Sequence, residues 1–229
     1  MRVKEQFVLV QAGEAALEGI LSLVEGAKGL ILFAHGSGSS RHSPRNRFVA
    51  QRLHERGFST LLFDLLTAEE DRIDRLTRNL RFDIGLLTER LVHTTDWVLE
   101  QPEAKGLKIG YFGASTGAAA ALIAAAQRPE IVSAIVSRGG RPDLASAALP
   151  QVRAPTLLIV GGRDYQVLEL NRQAKAQMRV TCTLSIVEGA THLFEEPGAL
   201  ERVAELAGDW FIRYIGAPDI VVRKDVNDD

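Results

Sequence analysis

Three side chains that together can carry out acyl transfer stand far apart in this sequence: Ser115 in "YFGASTG", Asp164 in "VGGRD" and His192 in "GATHLF". A serine hydroxyl is a weak nucleophile at neutral pH. It needs a base to take its proton, and the base needs an acid to hold its tautomer. Ser–Asp–His is the chain order that accompanies a G-x-S-x-G elbow. The pentapeptide alone recurs by chance. Its weight comes from standing between an apolar run and the alanine-rich pattern "TGAAAALIAAAQ". A Gly-rich turn of no chemical consequence is the competing reading, and the agreement of three placements argues against it.

Acyl transfer also needs donors for a developing oxyanion. The turn "HGSGSS" follows an apolar run, and the amide of Ser37 is the candidate for one donor. The amide of Thr116, next after the serine and at a helix start, is the candidate for the other. Arg41, Arg45, Arg138 and Arg141 fall near the same ends of the apolar runs. Arg41 and Arg138 are the candidate substrate contacts, able to take a carboxylate or phosphate, with solvated loop arginines as the alternative. His35 reads as a structural histidine satisfied by backbone, and His42 as a loop residue. His54 and His93 carry no site signal. Asp143 in "GGRPDL" is a rival for the acid, but Asp164 ends its run directly and is preferred. Asp64 lacks a histidine partner by order.

The elements that must position these groups alternate. "EQFVLVQ" and "LEGILSLV" read as an antiparallel pair about a turn at Gly13. "GLILFAHG", "FSTLLFDLL", "LKIGYFG", "EIVSAIVSRGG", "APTLLIVGGRD" and "CTLSIVEGATH" read as six more strands, several of them continuously apolar and so covered on both faces. Between them lie helical patterns, from "RNRFVAQRLHERG" to "PGALERVAELAGDWFIRYIG". The polar stretch "TAEEDRIDRLTRNLRFD" reads as a surface excursion with room for a short helix. About eight strands and six helices make an α/β fold, a mostly parallel doubly wound sheet whose sites gather at the strands' carboxyl ends. Residues 1–218 form one expected domain, and 219–229 a polar tail.

Composition sets bounds. The 229 residues are 46% hydrophobic and 24% charged, with formal net charge −2, which gives no reason to expect nucleic acid as a partner. One cysteine, Cys182, excludes an internal disulfide and reads as a buried strand thiol. No secretory or membrane-spanning segment is visible, so a cytoplasmic location is expected. The histidine spacing suggests no metal site, and no phosphate loop or dinucleotide turn is present, so no cofactor is expected.

The segments "AHGSGSSRHSPRN", "GASTG", "VGGRD" and "ATHLFEEPG" resemble the α/β-hydrolase superfamily, and within it the dienelactone-hydrolase-like group, through about Ile215. The resemblance implies an α/β-hydrolase fold with nucleophile Ser115, acid Asp164 and base His192. The namesake enzymes use cysteine where this chain has serine, which shifts expectation from dienelactone toward ordinary esters.

The expected function is therefore a serine hydrolase acting on small carboxylic esters, thioesters or lactones, with water as the second substrate. Only "GGRPDLASAALPQVRAP" joins two consecutive strands where many such proteins insert a cap. That leaves room for one short helix, so the cap is minimal and the site open. It would be roofed by this connector and by the loops 39–47 and 67–82. Two alternatives remain: a non-catalytic binding or accessory module of the same fold, and a small peptidase.

Overall fold

A computed structural model describes residues 2–216. The strands are β1 (Val3–Ala12), β2 (Ala15–Val24), β3 (Gly29–Ala34), β4 (Ser59–Phe63), β5 (Lys108–Ala114), β6 (Val132–Arg138), β7 (Thr156–Gly161) and β8 (Cys182–Val187). They form one sheet in the order β1-β2-β4-β3-β5-β6-β7-β8. Strands β1 and β2 pair antiparallel, as does β2 with β4, and every other neighbouring pair is parallel. The expected tail at 219–229 lies outside the described residues.

Why the sheet is covered on both faces follows from its central strands. Every residue of β3, β4 and β7 is buried, as their unbroken apolar runs require. On one face lie α3 (Ile84–Leu99) and α4 (Thr116–Gln127), packed on Leu30, Leu32, Tyr111 and Ile135. On the other lie α1 (Pro44–Glu55) and α6 (Ala199–Phe211), packed on Ile31, Phe33, Phe112 and Val136. Helix α1 buries Val49, Ala50 and Leu53 along one stripe, and Ser43 caps it ahead of Pro44. Helix α5 (Tyr165–Gln177) covers the β7–β8 end through Val167 and Leu168.

Three details depart from the sequence reading. The polar excursion is an ordered helix, α2 (Ala68–Thr77), with a full capping box between Thr67 and Glu70. The connector after β6 holds two short 3-10 turns, Pro142–Ala145 and Leu149–Gln151, where one short helix was expected. Cys182 does lie on a strand, but β8 is the last strand of the sheet and covers its side chains poorly, so the thiol is only part-buried. Even so, burial pushes it up to about 11.

The chain leaves β3 toward β4 on one side and later returns through β5 on the other. That reversal opens a crevice beyond the carboxyl ends of β3 and β5.

Candidate active site

Strand β5 passes into α4 with one residue between them, Ser115, whose φ of 51° and ψ of −121° are strained for any residue but glycine. Such a conformation persists only where its surroundings fix it. The Ser115 amide donates to Arg138 O on β6, and its carbonyl accepts from Ala118 N and Arg141 N. The flanking glycines are sterically required. A Cβ on Gly113 would stand 2.5 Å from Ala118 Cα, and one on Gly117 would overlap the carbonyl oxygens of Ala34 and His35. The alanine-rich face of α4 permits this close approach, since Ala118 to Ala121 are fully buried against the sheet.

The turn after β3 lies against this elbow. A Cβ on Gly36 would come within 3.0 Å of Ser115 Cβ. The Ser37 hydroxyl donates to Arg81 O and shares a 2.9 Å hydrogen bond with Thr116 Oγ1. Among the described residues, the backbone N–H groups of Ser37 and Thr116 donate to no protein acceptor. Two candidate oxyanion donors are thus neighbours, with their N–H groups uncommitted. His35 beneath them is buried. It offers Nδ1–H to Gly36 O, while Nε2 accepts from Leu65 N. Burial lowers its pKa against the opposing pull of the Gly36 bond and of Asp64, so the neutral ring fits both bonds.

Asp164 and His192 follow β7 and β8. Gly161 lets the two loops touch, since a Cβ there would stand 2.5 Å from Ala190 O. His192 Nδ1 lies 2.6 Å from Asp164 Oδ2, with the aspartate side chain 14% exposed and the imidazole 39%. The ring rests against Gly139, where a Cβ would be 3.4 Å from His192 Cε1. Gly139 directly follows Arg138, the residue whose carbonyl holds the Ser115 amide. The imidazole thus lies against the residue that follows the anchor of the Ser115 amide. Among the described residues no hydrogen bond joins it to Ser115 Oγ. The loop is anchored on both sides of His192: Thr191 N donates to Glu196 Oε1, and Phe194 is buried with φ 55°.

Other sequence candidates have different partners. Asp143 is clamped by two hydrogen bonds from Arg141 and does not reach the imidazole. Arg41 pairs with Asp64 and Glu18, so its guanidinium already faces two carboxylates. Arg138 is buried and, among the described residues, its guanidinium makes no hydrogen bond or ion pair, lying 5.9 Å from the centre of the Phe112 ring. Two residues that sequence reasoning passed over support the turn that carries Ser37. Asp74, almost wholly covered, accepts from the amides of Leu80 and Arg81 and from the Arg81 guanidinium. Burial alone would raise its pKa, but these bonds outweigh it and leave the carboxyl below its usual range. The pair fixes Arg81 O, the acceptor for Ser37. Between this pair and the turn after β3 lies a cleft of about 460 Å³ lined by Ser37, Arg41, Asp64, Arg81 and Leu87 among others.

The likeness to known proteins agrees with this frame. The dienelactone hydrolase family model matches residues 19–214. A crystal structure of dienelactone hydrolase from Anabaena variabilis is 59% identical, with a TM-score of 0.93, covering 94% of this chain and 100% of that one. Two sequences from Mycobacterium tuberculosis, each named "Putative phosphoribosyl transferase", are 56% identical over 216 residues. Those residues are 94% of this chain but 48% of theirs, so the chain spans about half the length of these curated relatives. Est1E from Butyrivibrio proteoclasticus shares the fold at 16% identity, with a TM-score of 0.78, covering 92% of this chain and 99% of its own. With its elbow, sheet order and family match in agreement, the chain belongs to the dienelactone hydrolase family.

Proposed function

We propose that this protein is a serine hydrolase that cleaves small carboxylic esters, thioesters or lactones through an acyl-enzyme on Ser115. The observation that carries the reading is the 2.6 Å contact between His192 Nδ1 and Asp164 Oδ2, with the ring against Gly139, next to the residue whose carbonyl holds the Ser115 amide. An aspartate bonded to Nδ1 fixes the tautomer that leaves Nε2 free to accept a proton.

In the first step Ser115 Oγ attacks the acyl carbonyl and its proton passes to His192. Asp164 stabilises the imidazolium. The amides of Ser37 and Thr116 receive the oxyanion, each donor contributing about 3 kcal/mol of barrier lowering in comparable sites. The imidazolium returns its proton to the leaving alkoxide or thiolate. A water molecule then repeats the sequence on the acyl-enzyme and frees the acid.

The connector after β6 contributes two 3-10 turns and no domain, which suits short acyl groups better than long chains. The transferase name of the longer relatives is not carried over, since this chain matches under half of them and the groups assembled at its elbow serve acyl chemistry. A fluorophosphonate probe followed by peptide mass spectrometry tests the nucleophile. Labelling at Ser115, absent in Ser115→Ala, supports the reading. Folded protein left unlabelled favours a non-catalytic module. A panel of acetyl, butyryl and dodecanoyl esters then tests size, and a marked preference for dodecanoyl overturns the short-acyl assignment.

A further inference from the structure

Three residues after β6, Gly139, Gly140 and Arg141, touch both the serine elbow and the imidazole. Arg141 N donates to Ser115 O at 3.1 Å. Gly139 packs against His192, where a Cβ would be 3.2 Å from the histidine carbonyl oxygen and 3.4 Å from Cε1. Because one strap meets both groups, any shift in it is passed to both.

The strap is held from several sides. Gly139 N donates to Ile159 O on β7 at 2.8 Å. A Cβ on Gly140 would stand 2.0 Å from Ser137 Oγ and 2.6 Å from Ala118 Cβ, so the strap lies hard on the end of β6 and on α4. The Gly140 carbonyl is held by a side chain from α5: it accepts from Asn171 Nδ2 at 3.0 Å. Asn171 is wholly buried, and its Nδ2 also donates to Val167 O at 2.7 Å. Turned end for end, the amide would set its oxygen against two carbonyl oxygens, so its orientation is fixed. Packing alone does not call for asparagine here. A buried amide is unfavourable without hydrogen bonds, and an apolar residue would fill the same space. What the amide adds is a directed bond to one carbonyl.

Helix α5 also carries the acid. Asp164 stands at its N-cap, and Leu168 N donates to Asp164 O at 2.8 Å. Asn171 comes about two turns later and returns to the same side of the helix. One rigid element thus bears the carboxylate that meets His192 Nδ1 and the amide that holds the strap.

We propose that Asn171 is a positioning residue for hydrolysis. Through Gly140 it holds the strap, and through the strap it keeps Ser115 and His192 in the relative placement that proton transfer requires. The assignment rests on the hydrolase reading for its consequence, and it makes α5 the element that registers all three triad members. Asn171 touches no substrate, and no new covalent step is involved.

Asn171→Leu removes both donors at similar volume. On para-nitrophenyl butyrate its kcat is expected to fall by about 10- to 100-fold, the cost of misplacing a reacting group by up to ~1 Å, with KM within about twofold of wild type. The rate of fluorophosphonate labelling should fall with kcat. Thr95→Val, which breaks the buried hydrogen bond between Thr95 and Tyr111, is the control for lost stability away from the strap, and its kcat should be unchanged. An Asn171 that only stabilises the fold would lower the urea midpoint yet leave the kcat of folded protein within about twofold of wild type, and that result overturns the proposal. Should Asn171→Leu not fold, Asn171→Ser is measured in the same way.

NMR of the His192 Cε1–H, with isotope-labelled histidine, separates the two readings. Gly139 packs on this carbon, so the resonance is expected to move in the Asn171 variant and to stay in Thr95→Val. A resonance that does not move in the Asn171 variant overturns the role whatever the kinetics. A moved resonance in a protein whose Ser115 takes no label keeps the hold on the ring and removes the hydrolase. Labelled Ser115 with resonance and kcat both unmoved keeps the hydrolase and removes Asn171 from it.

Discussion

The hydroxyls of Ser37 and Thr116 meet at 2.9 Å, joining the turn after β3 to the first residue of α4 across 79 positions of sequence. The bond fixes the spacing of the two candidate oxyanion donors before any substrate arrives. Thr116→Val keeps the amide and removes the link. Its expected effect is roughly a tenfold fall in kcat on a small ester with KM little changed, short of the 10²–10³ that loss of a whole donor costs. Steady-state kinetics on folded variant decides this, and an unchanged kcat would show the link to be ornamental.

The strained serine yields a prediction opposite in sign for stability and activity. Ser115 sits at φ 51°, a conformation that costs of order 1–3 kcal/mol for a residue with a Cβ. Ser115→Gly relieves the strain and Ser115→Ala does not. Both should lose hydrolysis, yet the glycine variant should unfold at higher urea, by about 1 kcal/mol after its greater unfolded-state entropy is counted. Equal midpoints would mean that the elbow stores no strain.

The two aspartates near the site should behave differently. Asp164→Asn leaves the ring in place but can stabilise the wrong tautomer, so kcat should fall roughly 10³–10⁴-fold, as for the aspartate of serine proteases. Asp143→Asn disturbs only a bond pair to Arg141 and should stay within about threefold of wild type. Comparable losses in both would reassign the acid.

Acid should weaken the fold before carboxylates titrate. His35 and His54 are both lowered below the ordinary 6.5, in each case first by burial. Both are therefore neutral when folded and take up protons on unfolding, so their contribution is present above pH 6.5 and is lost as pH falls below it. Chemical denaturation between about pH 7 and pH 5 should show stability declining with acid. His35→Gln should flatten that slope, and an equally steep slope in the variant would remove His35 as its source.

Much of the fold was legible because its signals are local. The unbroken apolar runs of β3 and β7 announce covered strands, and Gly113 and Gly117 around Ser115 announce a reversal with no room for side chains. The order of Ser115, Asp164 and His192 could be read as well, because each stands within a few residues of the end of a strand. What escaped was set by distant neighbours. Nothing in "TCTLSIVEG" says that β8 lies at the edge of the sheet, where Cys182 is only part-buried. The Asp74–Arg81 clamp joins residues whose side chains meet only because α2 ends in a left-handed turn at Arg78. The capping box of α2, by contrast, is local, with both its partners inside "TAEE". That the Arg138 guanidinium has no counter-charge among the described residues is a fact of packing, invisible in a string of letters.

The short connector between β6 and β7 has a further consequence. With only two 3-10 turns in that connector and the imidazole 39% exposed, solvent reaches the candidate base directly. Enzymes that pass acyl groups to alcohols or amines must keep competing moisture out while the acceptor docks. Here an added alcohol such as glycerol should capture little of the product. The brevity of seventeen residues, "GGRPDLASAALPQVRAP", would then be what commits the reaction to breakdown over exchange.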